Sequence, residues 1–191
     1  MNAARKKSPG RPRSAASHQA MLKAALELLS EVGFEAMSIE AIATRAGVGK
    51  TTIYRRYSSK NELIADAIES IREEVLIPDT GNLWSDVDAI IENAAQITLT
   101  PLGRQAVAMI ISSASSNLGF AQIYWEKYLQ PRRQAFDIVI ERAKARNEIT
   151  TDLDSGLVFD TMSGIMLYAL IFPITESWTV HVHNALSLLL K

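Results

Sequence analysis

The chain has 191 residues, 48% of them hydrophobic and 21% charged, with a formal net charge of −1 and no cysteine. That composition supports one or two domains with a sizeable core, and it excludes a disordered chain, a disulfide framework and any thiolate metal site. The near-neutral total conceals a division: residues 1–60 hold eleven Lys or Arg against four Glu, a net of +7, whereas residues 61–191 hold nine against seventeen acidic residues, a net of −8.

A basic N-terminal module suits a phosphate polyanion and an acidic remainder is repelled by one, so the division orients the protein on such a partner. Residues 1–13, M-N-A-A-R-K-K-S-P-G-R-P-R, are basic, small and broken by Pro and Gly, which predicts an arm disordered in free solution. Arg11 and Arg13 either lie in a minor groove, where narrow A·T-rich sequence concentrates negative potential, or belong to a solvated tail. This basic start is not followed by the apolar core and small-residue cleavage site of a secretory signal. A first helix is predicted from about Ser14 to Val32, with Met21, Leu22, Ala25, Leu28, Leu29 and Val32 as its apolar stripe and Gly33 at its end.

The stretch from Ser38 to Glu62, S-I-E-A-I-A-T-R-A-G-V-G-K-T-T-I-Y-R-R-Y-S-S-K-N-E, then reads as a helix-turn-helix. Ser38 caps the first short helix, Ile39, Ile42 and Ala43 point inward, and Gly47 supplies the turn. The second helix spans about Gly49 to Tyr57, with Ile53 and Tyr57 on one face and Lys50, Thr51, Thr52, Tyr54, Arg55 and Arg56 on the others. So narrow an apolar stripe beside three cations suits a major groove better than a core. Within it Lys50, Thr51, Thr52 and Arg55 are expected at base edges, and Thr44, Tyr54, Arg56 and Lys60 at phosphates. Ser59 and Glu62 form a capping box for a connecting helix to about Val75. Lys60, in its first turn, opposes the helix dipole; the position signals either an incoming phosphate or a tolerated exposed lysine.

In order as well as composition, these elements resemble the TetR family of bacterial transcriptional regulators. Gly33-Phe34 closes the first helix, Ala46-Gly47-Val48 makes the turn, Ile53-Tyr54-Arg55-Arg56-Tyr57 closes the recognition helix, and Ser59-Lys60-Asn61-Glu62-Leu63 opens the connecting helix. The likeness covers roughly the first third of the chain.

After the turn-rich Pro78-Asp79-Thr80-Gly81-Asn82, the remainder reads as helices throughout. Ser85 and Asp88 are expected to cap a segment to about Thr98, and Thr100-Pro101 opens the next, to about Ser116. Gly119 precedes a long amphipathic helix from about Phe120 to Arg146, ended by Asn147, where many members of the family carry Gly. Two unusually apolar helices close the chain, about Asp154 to Phe172 and Glu176 to Leu190, separated by Pro173. The longest apolar run, Ile165 to Ile174, is too short to span a bilayer.

Helices this apolar either sit at the centre of a domain or pair with a second copy. The resemblance implies the second: a homodimer whose interface is drawn from Val158, Met162, Ile165, Ala169, Trp178, Val182, Leu186 and Leu189. Two recognition helices related by a two-fold axis would read a palindromic double-stranded operator. The adaptable Met and aromatic set, Trp84, Met109, Phe120, Tyr124, Trp125, Tyr128, Met162 and Met166, with Phe136 and Tyr168, either lines a cavity for a small hydrophobic effector or is ordinary core.

The expected fold is therefore all-α: a basic arm over 1–13, a three-helix DNA-binding domain over 14–58, a connecting helix over 59–77, and a helical sensing and dimerisation bundle over 78–191. No enzyme is expected. His181 and His183 stand two apart, on different faces of a helix, which argues against a metal site. Gly49-Lys50-Thr51 lacks the preceding glycine of a phosphate loop, and Asp86/Asp88 and Asp152/Asp154 stand where capping explains them. Neither a cofactor nor a membrane partner is called for, and the absence of cysteine is compatible with a reducing cytoplasm. By resemblance the output is repression, relieved when an apolar ligand enters the second region; the alternatives are a nonspecific DNA-organising protein and a ligand-independent regulator or activator.

Overall fold

The computed structural model describes residues 12–71, 75 and 77–190, with side chains from residue 15 onward. The expectations placed on Arg11 and on the Arg13 side chain therefore lie outside the described residues. Among the described residues every regular element is a helix, and no helix is long and apolar enough to cross a membrane. The chain divides after Ser70 into two compact units.

The first unit holds α1 (Pro12–Ala36), α2 (Ile39–Ala46), α3 (Lys50–Tyr54) and α4 (Lys60–Glu69). Gly33, at φ 74°, breaks α1 where the first helix was expected to end. The residues beyond it turn the chain toward α2. Met21, Ala25 and Leu29 of α1 are fully buried, and α1 packs on both α2 and α4. Val32, expected in the same stripe, is half exposed because it lies on the last turn before the break. Ser38 caps α2 by accepting from Ala41 N, and Gly47, at φ 65°, closes it in the left-handed conformation. The recognition helix α3 ends earlier than expected, at Tyr54. Its last turn tightens, with Arg56 N donating to Ile53 O, and this delivers Tyr57 to the core beside Ile53. Ser59 caps α4, which ends at Glu69 rather than near Val75, and residues 72–74 and 76 lie outside the described set.

The second unit holds α5 (Leu83–Thr98), α6 (Pro101–Ser116), α7 (Leu118–Tyr124), α8 (Gln130–Ala145), α9 (Ser155–Ile171) and α10 (Trp178–Leu186). Asn82, not Ser85 or Asp88, caps α5, accepting from Ser85 N at 3.0 Å. Asp86 is instead fully buried and accepts from both the N and Oγ1 of Thr80 at 2.7 Å, while Arg146 lies 3.8 Å from its other oxygen. Leu83 N donates to Glu148, so the start of α5 is stitched to the end of α8. Thr100 caps α6 ahead of Pro101, and Asp154 and Ser177 cap α9 and α10. Asn147 takes the expected positive φ, 59°. The last helix stops at Leu186 instead of Leu190, because Leu188 and Leu189 hydrogen-bond three residues back in tight turns.

The expected single helix from Phe120 to Arg146 contains Pro131, which lacks an N–H and whose ring would meet the Lys127 carbonyl. The chain accommodates it by widening into a π turn over Trp125–Leu129, with Gln130 N donating to Trp125 O, and α8 then continues. Around α8 the core gathers Val87 and Ile91 of α5, Phe136 and Ile140 of α8, Met162 of α9, and Val182 and Leu186 of α10. Each such side chain contributes about 1.5–3 kcal/mol by leaving water.

At the α5–α6 corner a Cβ added to Gly103 would stand 1.9 Å from the Ile97 carbonyl oxygen, so backbone must move to admit it. Gly103→Ala is expected to cost about 1–3 kcal/mol, read as a lower denaturation midpoint at unchanged slope.

Candidate nucleic-acid interface and sensory cavity

In the first unit, α3 shows how five residues become a reading surface. Ile53 is inaccessible and Tyr57 nearly so, which anchors the helix and turns Thr51, Tyr54, Arg55 and Arg56 to solvent; Tyr54 is 56% exposed. Lys50 is exposed too, but its ammonium is engaged by the Glu40 carboxylate of α2, and that partner holds Glu40 below the usual carboxylate range. Arg45 makes a similar pair with Glu31 at 2.7 Å. Neither acid was expected at the site, since each lies ten or more residues from its partner across a turn. Thr44 is exposed, with its Oγ1 donating to Glu40 O, and Thr52 is half-buried.

Lys60 is engaged within the unit. Its Nζ donates to the carbonyls of Phe34 and Met37 at 2.8 and 3.0 Å and lies 4.1 Å from the centre of the Phe34 ring. The charge that opposes the α4 dipole is stabilised by the carbonyls that follow the Gly33 break, which accounts for its position without calling on a phosphate.

Behind the reading surface His18 Nε2 stands 2.7 Å from the Tyr57 hydroxyl, which donates to Asp66 at 2.6 Å. This chain ties α1, the end of the recognition helix and α4 together. Burial, then the hydrogen bond to Asp66, pushes the Tyr57 phenol well above its ordinary range.

The second unit encloses a cavity of about 270 Å³. Helix α5 contributes Ile90, Asn93 and Ile97; α6 contributes Val107, Ile110 and Ile111; Leu129, Arg132 and Phe136 form the α8 side. Phe159, Met162, Ser163 and Met166 of α9, with Trp178 of α10, complete most of the wall. Of the residues expected there, Tyr124, Met162, Met166 and Phe136 line it. The others do not. Met109 and Phe120 are buried away from it, Tyr128 packs on Tyr124, Trp125 carries Arg133 over its ring, and Trp84 packs on His183 at 4.6 Å. The α5 and α6 aliphatics that do line it carry no sequence mark beyond ordinary amphipathic spacing.

The expected interface residues divide in the same way. Val158, Met162, Ala169, Trp178, Val182 and Leu186 are buried inside the protomer and belong to its own core. Ile165 is half-buried and Leu189 exposed. A different stripe of α9 faces outward: Leu157, Thr161, Gly164, Tyr168 and Ile171, spaced four and three residues apart like a coiled-coil seam. Leu157 is 63%, Tyr168 57% and Ile171 60% exposed.

Residues 21–67 match the family model described as bacterial regulatory proteins of the tetR family, and residues 77–186 match the tetracyclin repressor-like C-terminal domain. The HTH-type transcriptional regulator YdeS of Bacillus subtilis is 33% identical over 163 residues, covering 85% of this chain and 82% of its own. The DNA-binding transcriptional repressor TetR of Mycobacteroides abscessus is 31% identical over 172 residues, covering 84% and 83%. The crystal structure of a TetR family transcription regulator superimposes with a TM-score of 0.72 at 25% identity, covering 90% of this chain and 97% of that one.

A phenol whose folded-state pKa is raised keeps its proton while the unfolded tyrosine loses it. Its contribution to stability is therefore complete below the ordinary value of about 10 and falls as pH rises beyond it. Tyr57→Phe is expected to lower stability at neutral pH by about 1–3 kcal/mol, for the lost bond to a charged acceptor, and to lose less than the parent between about pH 9 and 11. Denaturant titrations of both chains across that range measure it.

Proposed function

The chain belongs to the TetR family of DNA-binding transcriptional regulators, and from that premise we propose that it is a homodimeric repressor of a palindromic operator, released when a small apolar effector enters the second unit. The observation that carries the effector reading is the cavity of about 270 Å³, walled by aliphatic, aromatic and Met side chains with few polar groups. Its size lies just below the range of about 300–1000 Å³ usual for small-molecule sites, which suits a small guest. That the Mycobacteroides relative is a repressor favours repression over activation. Acting on the chromosome, such a regulator works in the cytoplasm.

In this reading Lys50, Thr51, Thr52 and Arg55 face base edges while Thr44, Tyr54 and Arg56 meet phosphates, and Lys50 exchanges Glu40 for DNA on binding. Arg11 and Arg13 serve the adjacent minor groove. The dimer forms through the outward α9 seam, Leu157, Gly164, Tyr168 and Ile171, with Leu189 at its margin. Gly164 has no atom within 4 Å of where a Cβ would stand, leaving room for a second helix to approach closely. An effector favours one of two dimer states, and release follows if that state holds its heads at a spacing the operator does not match.

Selection of bound duplexes from random DNA at near-physiological salt is expected to return a palindrome. Arg55→Ala should then cost about 1–3 kcal/mol at that site and relax preference at one position per half-site, and equal losses on all DNA would overturn the base contact. Ile171→Asp should yield a folded monomer by sedimentation and lose the palindrome's affinity advantage; a dimer of unchanged mass would refute the outward seam.

A further inference from the structure

Freeing Lys50 for DNA also frees an acid. Resting on the reading of Lys50 as a base contact, we infer that Glu40 is a specificity-determining residue: Lys50 and Glu40 together read one G·C base pair in each half-site, the ammonium on guanine and the carboxylate on the amino group of its cytosine. Glu40 stands in the first turn of α2 and Lys50 is the first residue of α3, so their ion pair brings the starts of both helices together. In a helix-turn-helix the start of the second helix meets base edges. Glu40 is 55% and Lys50 52% exposed within the pair, so a base edge can reach both.

The chemistry of the groove then assigns the partners. Lys50 exchanges the carboxylate for a base acceptor, and a carboxylate left without a donor beside a polyanion is costly. The donors that a major groove offers are the amino groups of cytosine and adenine. In a G·C pair, guanine O6 and the cytosine amino group are hydrogen-bonded to each other, so acceptor and donor stand close together, as the ammonium and carboxylate do in the ion pair. An A·T pair also has an acceptor beside a donor. Guanine, however, adds N7 next to O6 as a second acceptor for the ammonium, whereas thymine sets a methyl group beside O4. An acid in the first turn of α2 also suits the helix dipole, a role that leaves base preference untouched.

The test is selection of bound duplexes from random DNA by the full-length parent, Glu40→Ala and Lys50→Ala, with thermal denaturation to show each variant folded. The two variants are expected to relax preference at the same G·C pair of each half-site. Glu40→Ala should weaken the consensus duplex about tenfold while binding unrelated duplexes at least as well as the parent, because a negative charge is gone. Replacing that cytosine with 2-pyrimidinone, which lacks the amino group, should cost the parent about tenfold more than it costs Glu40→Ala. An unchanged consensus with tighter binding of every duplex by Glu40→Ala would overturn the inference and reduce the acid to a screen; the Lys50 contact stands if Lys50→Ala still relaxes a position. Equal costs of 2-pyrimidinone in both proteins, or relaxation at different base pairs or at an A·T pair, would overturn the shared G·C reading. A parent that selects no sequence would overturn the operator reading and this inference together.

Discussion

A helix of five residues makes too few internal hydrogen bonds to hold its shape in water, so the reading surface of this protein exists only because other elements hold α3 in place. Ile53 and Tyr57 supply two buried anchors on one face, Gly47 sets the turn that feeds the helix, and the Tyr57 hydroxyl is bonded between His18 and Asp66. Lys60 closes the arrangement by donating to the carbonyls beyond Gly33. The consequence for function is stiffness: guanidinium and hydroxyl groups on a short, anchored helix present one geometry to a groove, and base discrimination needs that fixed geometry.

Charge in this unit is paired before DNA arrives. Lys50 with Glu40, and Arg45 with Glu31, are exposed pairs that contribute little to stability. Near a polyanion, a carboxylate beside each cation lowers indiscriminate attraction to any duplex. The eleven cations of the first sixty residues thus overstate the attraction that the folded head offers, and the net of +7 already discounts both acids.

In the second unit the governing feature is α9, apolar around most of its circumference. One stripe, Val158, Met162 and Ala169, belongs to the protomer core, while its neighbour, Leu157, Tyr168 and Ile171, is exposed. The same helix contributes Phe159, Met162, Ser163 and Met166 to the cavity wall. A guest that shifts α9 therefore acts on cavity and outer seam at once, through one rigid element with two packed faces. The π turn ahead of Pro131 has a comparable double role: it keeps α7 and α8 continuous and sets Arg132 on the cavity side.

Much of the architecture was legible in the residues because its causes are local. Ser38, Ser59, Thr100 and Asp154 cap helices through bonds three residues long, Gly33, Gly47 and Asn147 take positive φ where a chain must turn, and the Gly47 turn with its flanking helices marks the head. Failures arose where the outcome depends on partners distant in sequence. Nothing around Lys60 announces the Phe34 carbonyl 26 residues away, nor does Glu40 announce Lys50. Composition marks α9 as apolar all round, but only its rotation against α5, α8 and α10 decides that Val158 and Met162 turn inward and Leu157 and Tyr168 outward. Likewise Met and aromatic content suggested a cavity, yet its wall was chosen by helix placement, which admitted Ile97 and Ile110 and excluded Trp84 and Phe120. The sequence by itself determined the helices, their ends and the DNA-reading head, whose signals act over a few residues; tertiary structure alone decided which face of each helix meets core, cavity or solvent, because that depends on rotations set jointly by every packed neighbour.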